Sequence, residues 1–66
     1  MRIVVNGKDM LFGEQITILG LLEKLELSKE GIAVAVNGEV IPKSKHDSFS
    51  LKDGDEVEVV KVVGGG

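Results

Sequence analysis

The sequence predicts an α+β domain in which one mixed β-sheet of four to five strands packs on a single main helix. Three observations predict it. Asn6-Gly7 and Asn37-Gly38 each sit between short runs that carry apolar residues at strand spacing, the pattern of a tight hairpin. Between these hairpins the apolar spacing of Thr17 to Leu27 changes from the strand period to the helical one. A last apolar run, Glu56 to Val63, follows the turn Asp53-Gly54-Asp55 and leads into Gly64-Gly65-Gly66. The helix must then cover one face of the sheet.

Met1 to Phe12 reads as the first hairpin. A two-residue type I′ turn needs positive φ at both central positions, which Asn-Gly tolerates best. That turn sets Val5 opposite Lys8, Val4 opposite Asp9, Ile3 opposite Met10 and Met1 opposite Phe12. Met1, Ile3, Val5, Met10 and Phe12 then share the core face, because strand side chains alternate. Arg2, Val4, Asp9 and Leu11 share the other face. Thr17 is the expected N-cap, followed by Ile18, Leu21, Leu22 and Leu25 as one stripe of a helix ending near Glu26 or Leu27. So short a helix depends on the sheet.

Ser28 to Gly31 is a polar connection, and Ile32 to Val36 a third strand. The second hairpin pairs Val36 with Glu39, Ala35 with Val40 and Val34 with Ile41. Val34, Val36 and Ile41 belong to the core, and Ala33, Ala35 and Val40 to the opposite face. Pro42 has no N–H to give a ladder and closes the fourth strand. Lys43 to Ser50 is an irregular polar segment anchored by Phe49 or Leu51. In the last strand Val57 and Val59 point inward, Glu56 and Glu58 outward. Val60 and Val62 also fall on the outward phase, against the usual alternation.

Sixty-six residues make one small domain, too small for a deep enclosed site. The absence of cysteine excludes disulfides and thiolate metal sites. A net charge of −3 with interspersed signs argues against nucleic acid, which needs a basic surface. No apolar run reaches the ~20 residues of a membrane span, and Met1-Arg2-Ile3 opens into strand-like sequence, so a cytoplasmic protein, monomeric when free, is expected. His46-Asp47 reads as solvated surface, since no nucleophile is arranged around the lone histidine. The same isolation makes a metal site improbable. Asp53 and Asp55 flank a turn glycine and read as turn residues. Lys43-Ser44-Lys45 reads as a solubilising loop. No residue pattern points to an enzyme.

The distinctive chemistry lies at the end, where 64-66 is a glycine tail on a 1-63 domain. Glycine adds no Cβ where a chain must thread a narrow slot. Gly66 then presents a bare carboxylate, and Gly64 and Gly65 are the residues that would enter a partner's site. Three extended residues span about 10 Å at most, so the body must dock close by. Ordering three glycine backbones costs on the order of 3–6 kcal/mol, which an apolar docking patch of about 300 Å² offsets. Val4, Leu11, Ala33, Ala35, Val40, Val60 and Val62 are the candidates for that patch. Scattered surface valines usually mean nothing, and terminal glycines are often only a frayed end. Together, behind this strand and turn, they favour a presented carboxylate.

Val36-Asn37-Gly38-Glu39-Val40-Ile41-Pro42, Leu51-Lys52-Asp53-Gly54-Asp55-Glu56-Val57 and Val62-Val63-Gly64-Gly65-Gly66 together resemble the ThiS family of ubiquitin-like sulfur carriers of thiamin biosynthesis. The resemblance covers essentially the whole chain. Lys43 and His46 stand where the family often has an arginine and an aromatic. The resemblance implies a β-grasp fold, with the last strand beside and parallel to the first. It also implies a cycle. A ThiF-like adenylating enzyme uses ATP and magnesium to adenylate Gly66. A persulfide sulfur donor then converts the adenylate to a thiocarboxylate, which supplies a ThiG-like thiazole synthase. The carrier itself binds no cofactor in this scheme. Carriers for molybdopterin, amino-acid or tRNA thiolation share the tail and fold, and a ubiquitin-like binding or conjugation module is the rival of another class.

Overall fold

In a computed structural model, which describes residues 1–27 and 30–62, both Asn-Gly pairs form the turns their sequence demands. Asn6 and Gly7 have φ of 49° and 82°, Asn37 and Gly38 of 51° and 86°. The first turn joins β1 (Arg2–Val5) to β2 (Lys8–Leu11), with Val5 opposite Lys8, Val4 opposite Asp9 and Ile3 opposite Met10. The second joins β3 (Ile32–Val36) to β4 (Glu39–Ile41), with Val36 opposite Glu39 and Ala35 opposite Val40. Both registers follow from turn chemistry alone.

The remaining strand, β5 (Glu56–Lys61), lies between the hairpins, parallel to β1 and antiparallel to β3. The sheet order is β2-β1-β5-β3-β4, the β-grasp arrangement, with five strands. β5 is described as far as Lys61; its expected end, Val63, lies outside the described residues. Its last ladder partner is Ile32, opposite Lys61, where β3 begins, and Val62 adds one backbone bond to Gly31 O at 2.6 Å. Val63, the tail residues Gly64, Gly65 and Gly66, and Ser28 and Lys29 of the polar connection lie outside the described residues.

The helix α1 (Ile18–Lys24) packs Ile18, Leu21 and Leu22 onto the inner face with Ile3, Val5, Phe12, Val34, Val36, Ile41, Leu51 and Val57. It stops before Glu26, earlier than the apolar stripe suggests. The stop is a Schellman motif: Glu26 N–H donates to Glu23 O and Leu27 N–H to Leu22 O, with Glu26 at φ 59°. Glycine usually fills that left-handed position, because a Cβ there costs about 1 kcal/mol. Glu26→Gly is therefore expected to stabilise the domain by about 0.5–1 kcal/mol and raise Tm by a few degrees, read by thermal melting. An unchanged Tm would mean that Glu26 carries no conformational strain.

The other end of α1 explains the irregular segment that follows β4. The first backbone N–H groups of a helix have no partner inside it. Here Ile18 N–H donates to Phe49 O, Leu19 N–H to His46 O, Gly20 N–H to the Thr17 hydroxyl at 3.1 Å and Leu21 N–H to Thr17 O. After a single 3-10 turn, Lys43–Lys45, the segment thus runs against the helix start, and Leu51 is completely buried beneath it. His46 is carried inside with it. The expectation of a solvated histidine is wrong, since only 3% of the residue is exposed. A polar composition in 43–50 concealed a segment whose backbone carbonyls cap the helix.

Candidate functional site

Behind the tail, β5 is fixed on both sides by more than its ladders. Asn6 sits in the first turn, where β1 has ended, yet its carboxamide accepts from Val59 N–H at 2.8 Å and donates to Val59 O at 3.1 Å. It supplies a donor and an acceptor to β5 as one further strand residue would. Asn37 acts similarly in the second turn. Its Oδ1 accepts from Glu56 N–H at 3.0 Å, its Nδ2 donates to Asp55 Oδ1 at 3.0 Å, and its N–H donates to Glu56 O. The sequence placed both asparagines correctly as turn residues. Their second task was not visible, because β5 is distant in the chain.

Asp53 and Asp55 hold the turn that starts β5. Asp53 Oδ1 accepts from Arg2 N–H at 2.6 Å, and Asp55 Oδ2 accepts from Lys52 N–H at 2.8 Å. Gly54, at φ 88°, donates its N–H to Arg2 O, and Asp55 N–H closes the turn on Lys52 O. Both carboxylates are acceptors for backbone N–H groups of the turn region. Among the described residues, no group of three or more His, Asp or Glu is placed to hold a metal ion.

His46 lines a shallow crevice of about 420 Å³ with Leu19, Lys43, Ser44 and Asp47. A serine, a histidine and an aspartate side by side invite a catalytic reading, which the hydrogen bonds oppose. Nε2 lies 3.0 Å from Ile41 O, so it carries the ring proton, because a carbonyl can only accept. Nδ1 is buried and has no hydrogen-bond partner among the described residues. Neither nitrogen is offered to Ser44 or to a solute.

The residues expected to form a docking face all lie on the side of the sheet away from α1, in two groups. Ala33 stands opposite Val60 across β3–β5, and Ala35 opposite Val40 across β3–β4. Val40 is 71% exposed, and Val60 and Val62 are each 55% exposed. Val4 and Leu11 belong to the far side. Val4 is half-buried opposite Asp9 and Glu56, while Leu11, 81% exposed, stands opposite Arg2. Glu56 and Glu58 occupy the outward positions of β5 between the groups. Arg2 is engaged by Asp9 at 3.0 Å, and this hydrogen bond, with the charge of Asp9, raises the guanidinium pKa. The structure thus gathers Ala33, Ala35, Val40, Val60 and Val62 near the end of β5 and leaves Val4 and Leu11 apart.

No helix among the described residues is long and apolar enough to cross a membrane. The ThiS family model matches residues 1–66. Over 66 residues the chain is 30% identical to the Sulfur carrier protein ThiS of Escherichia coli (strain K12), covering 100% of both. It is 36% identical over 66 residues to a Thiazole synthase of Paramagnetospirillum magneticum, where it covers 100% of this chain but spans only 20% of that protein. The crystal structure of the thiamine biosynthesis protein ThiS from Geobacter metallireducens superposes with a TM-score of 0.86 at 36% identity, with 100% of each chain covered.

Proposed function

The chain belongs to the ThiS family, and on that premise we propose that it is a sulfur carrier of thiamin biosynthesis whose Gly66 carboxylate is the group acted upon. The observation that carries the reading is an inner strand, β5, bonded on both sides and followed in the sequence by three glycines. A carboxylate is a poor acylating group. Adenylation by a ThiF-like enzyme with ATP and magnesium forms a mixed anhydride at Gly66 and releases pyrophosphate. Sulfur from a persulfide donor then attacks the carbonyl carbon and expels AMP, and a thiol of the donor system attacks the outer sulfur of the resulting acyl disulfide, forming a new disulfide and releasing the thiocarboxylate. In this reading a ThiG-like thiazole synthase takes that sulfur in the cytoplasm. The carrier contributes position, and its partners contribute catalysis and cofactors.

Intact mass spectrometry after incubation with ATP, magnesium, the adenylating enzyme and a persulfide source tests this. The expected product is heavier by the replacement of one oxygen with sulfur. An unchanged mass with a competent enzyme overturns the reading.

Ala33, Ala35, Val40, Val60 and Val62 form the docking patch in this proposal, with Gly64 and Gly65 entering the partner. Val4, opposite Glu56 at the start of β5, and Leu11, on the edge strand β2, stand apart from this group on the same face. Val60→Asp is expected to raise KM for the carrier in the adenylation reaction about tenfold, through lost burial and a desolvated carboxylate. Because Val60 is half-exposed, the melting curve should hardly move. Equal KM values would remove Val60 from the docking patch.

A further inference from the structure

The chain enters β3 through a position that suits only glycine. Gly31 stands immediately before Ile32 with φ 70°, in the left-handed region that L side chains rarely adopt. Ile32 is opposite Lys61, the last ladder pair between β3 and β5. One step beyond that pair, Gly31 O accepts from Val62 N–H at 2.6 Å. A Cβ at Gly31 would stand 3.4 Å from Val62 O, so the two backbones are already in close contact. Among the described residues, this is the last hydrogen bond between the body and the chain that leads to Gly66.

Gly66 lies four residues past Val62, a reach of about 14 Å at most. We propose that Gly31 is a positioning residue for the Gly66 carboxylate: by holding Val62, it fixes the point from which that reach is measured. The inference rests on the sulfur-carrier reading above and adds which residue of the body sets the origin of the tail. With the bond lost, the origin moves back to Lys61, and one more backbone must be ordered for each productive encounter. Ordering one further residue lowers the productive fraction about tenfold. Val40 and Val60 are not touched by that loss, so docking persists. The effect therefore falls on kcat rather than KM.

The test measures pyrophosphate release by the adenylating enzyme against carrier concentration for wild type, G31A, G31N and G38A, at a temperature where melting curves show every chain folded. Gly38 also has positive φ, 86°, and lies past the other end of β3, where a Cβ would meet nothing within 4 Å. G38A therefore carries a similar backbone penalty away from the tail. The expected result is kcat lowered about tenfold in G31A with KM within about twofold of wild type. G31N should lose less, because asparagine tolerates left-handed backbone, and G38A should keep wild-type kcat. In the free carrier, hydrogen exchange at the Val62 amide should be about tenfold faster in G31A and unchanged in G38A. Wild-type kcat in G31A, an equal fall in G38A, or an unchanged Val62 exchange rate in G31A would each overturn the assignment while leaving the carrier reading intact. Failure of the wild type itself to be adenylated would overturn both.

Discussion

Deleting Gly66 is expected to abolish the sulfur-for-oxygen mass gain and to lower adenylation at least ~100-fold. The shortened chain still ends in a glycine carboxylate, so its chemistry is unchanged and only its position differs. Removing one residue withdraws the reactive carbon by about 3.5 Å. Bound reactants must meet within a fraction of that distance, and a displacement of about 1 Å can already cost two orders of magnitude. Docking through Val60 and its neighbours should persist, so the truncated chain should inhibit wild-type adenylation competitively. Retained activity would mean that the carboxylate is not delivered at fixed reach. Loss of both activity and inhibition would mean that the tail, and not the sheet face, supplies the affinity.

Asn6→Ala should be the most damaging surface substitution, lowering stability by about 2–4 kcal/mol in denaturant melts. Two separable losses contribute. Alanine at φ 49° is strained by about 1 kcal/mol, and the two bonds to Val59, each about 0.5–1.5 kcal/mol, disappear. Asn6→Gly separates them, because glycine accepts the positive φ without the carboxamide. The expected order of stability is wild type, then Asn6→Gly, then Asn6→Ala. If Asn6→Gly matches wild type, the carboxamide contributes nothing and β5 is held by its ladders alone. A domain this small has only a few kcal/mol in reserve, so Asn6→Ala should be partly unfolded near 37 °C.

Where local chemistry governed the outcome, the sequence was sufficient. Asn6-Gly7 and Asn37-Gly38 determined both hairpin registers, and alternation then sorted Ile3, Val5, Val34, Val36 and Ile41 inward. Thr17 was legible as the cap because a hydroxyl before an apolar stripe has one common use. Failures came where a partner lay far away in the chain. His46 is inside because its own carbonyl caps Leu19, and nothing near residue 46 announces that contact. The helix end was missed because Glu26 adopts a conformation glycine usually marks. The outer face was readable residue by residue but not as a map. The order β2-β1-β5-β3-β4 puts Leu11 on an edge far from Val40, and the register sets Val4 beside Glu56 rather than Val60; neither is written in periodicity.

That order also has a mechanical meaning. The chain that continues past Val62 is anchored to the middle strand of the sheet. An edge strand pulled from one end peels away bond by bond. β5 is laddered to β3 from Val57 to Lys61 and to β1 at Glu56 and Val57, with Asn6 tying Val59 and Asn37 tying Glu56, so several bonds share the tension. On the carrier reading proposed above, a partner pulling on the glycine end would load these bonds together rather than unravel the body one bond at a time.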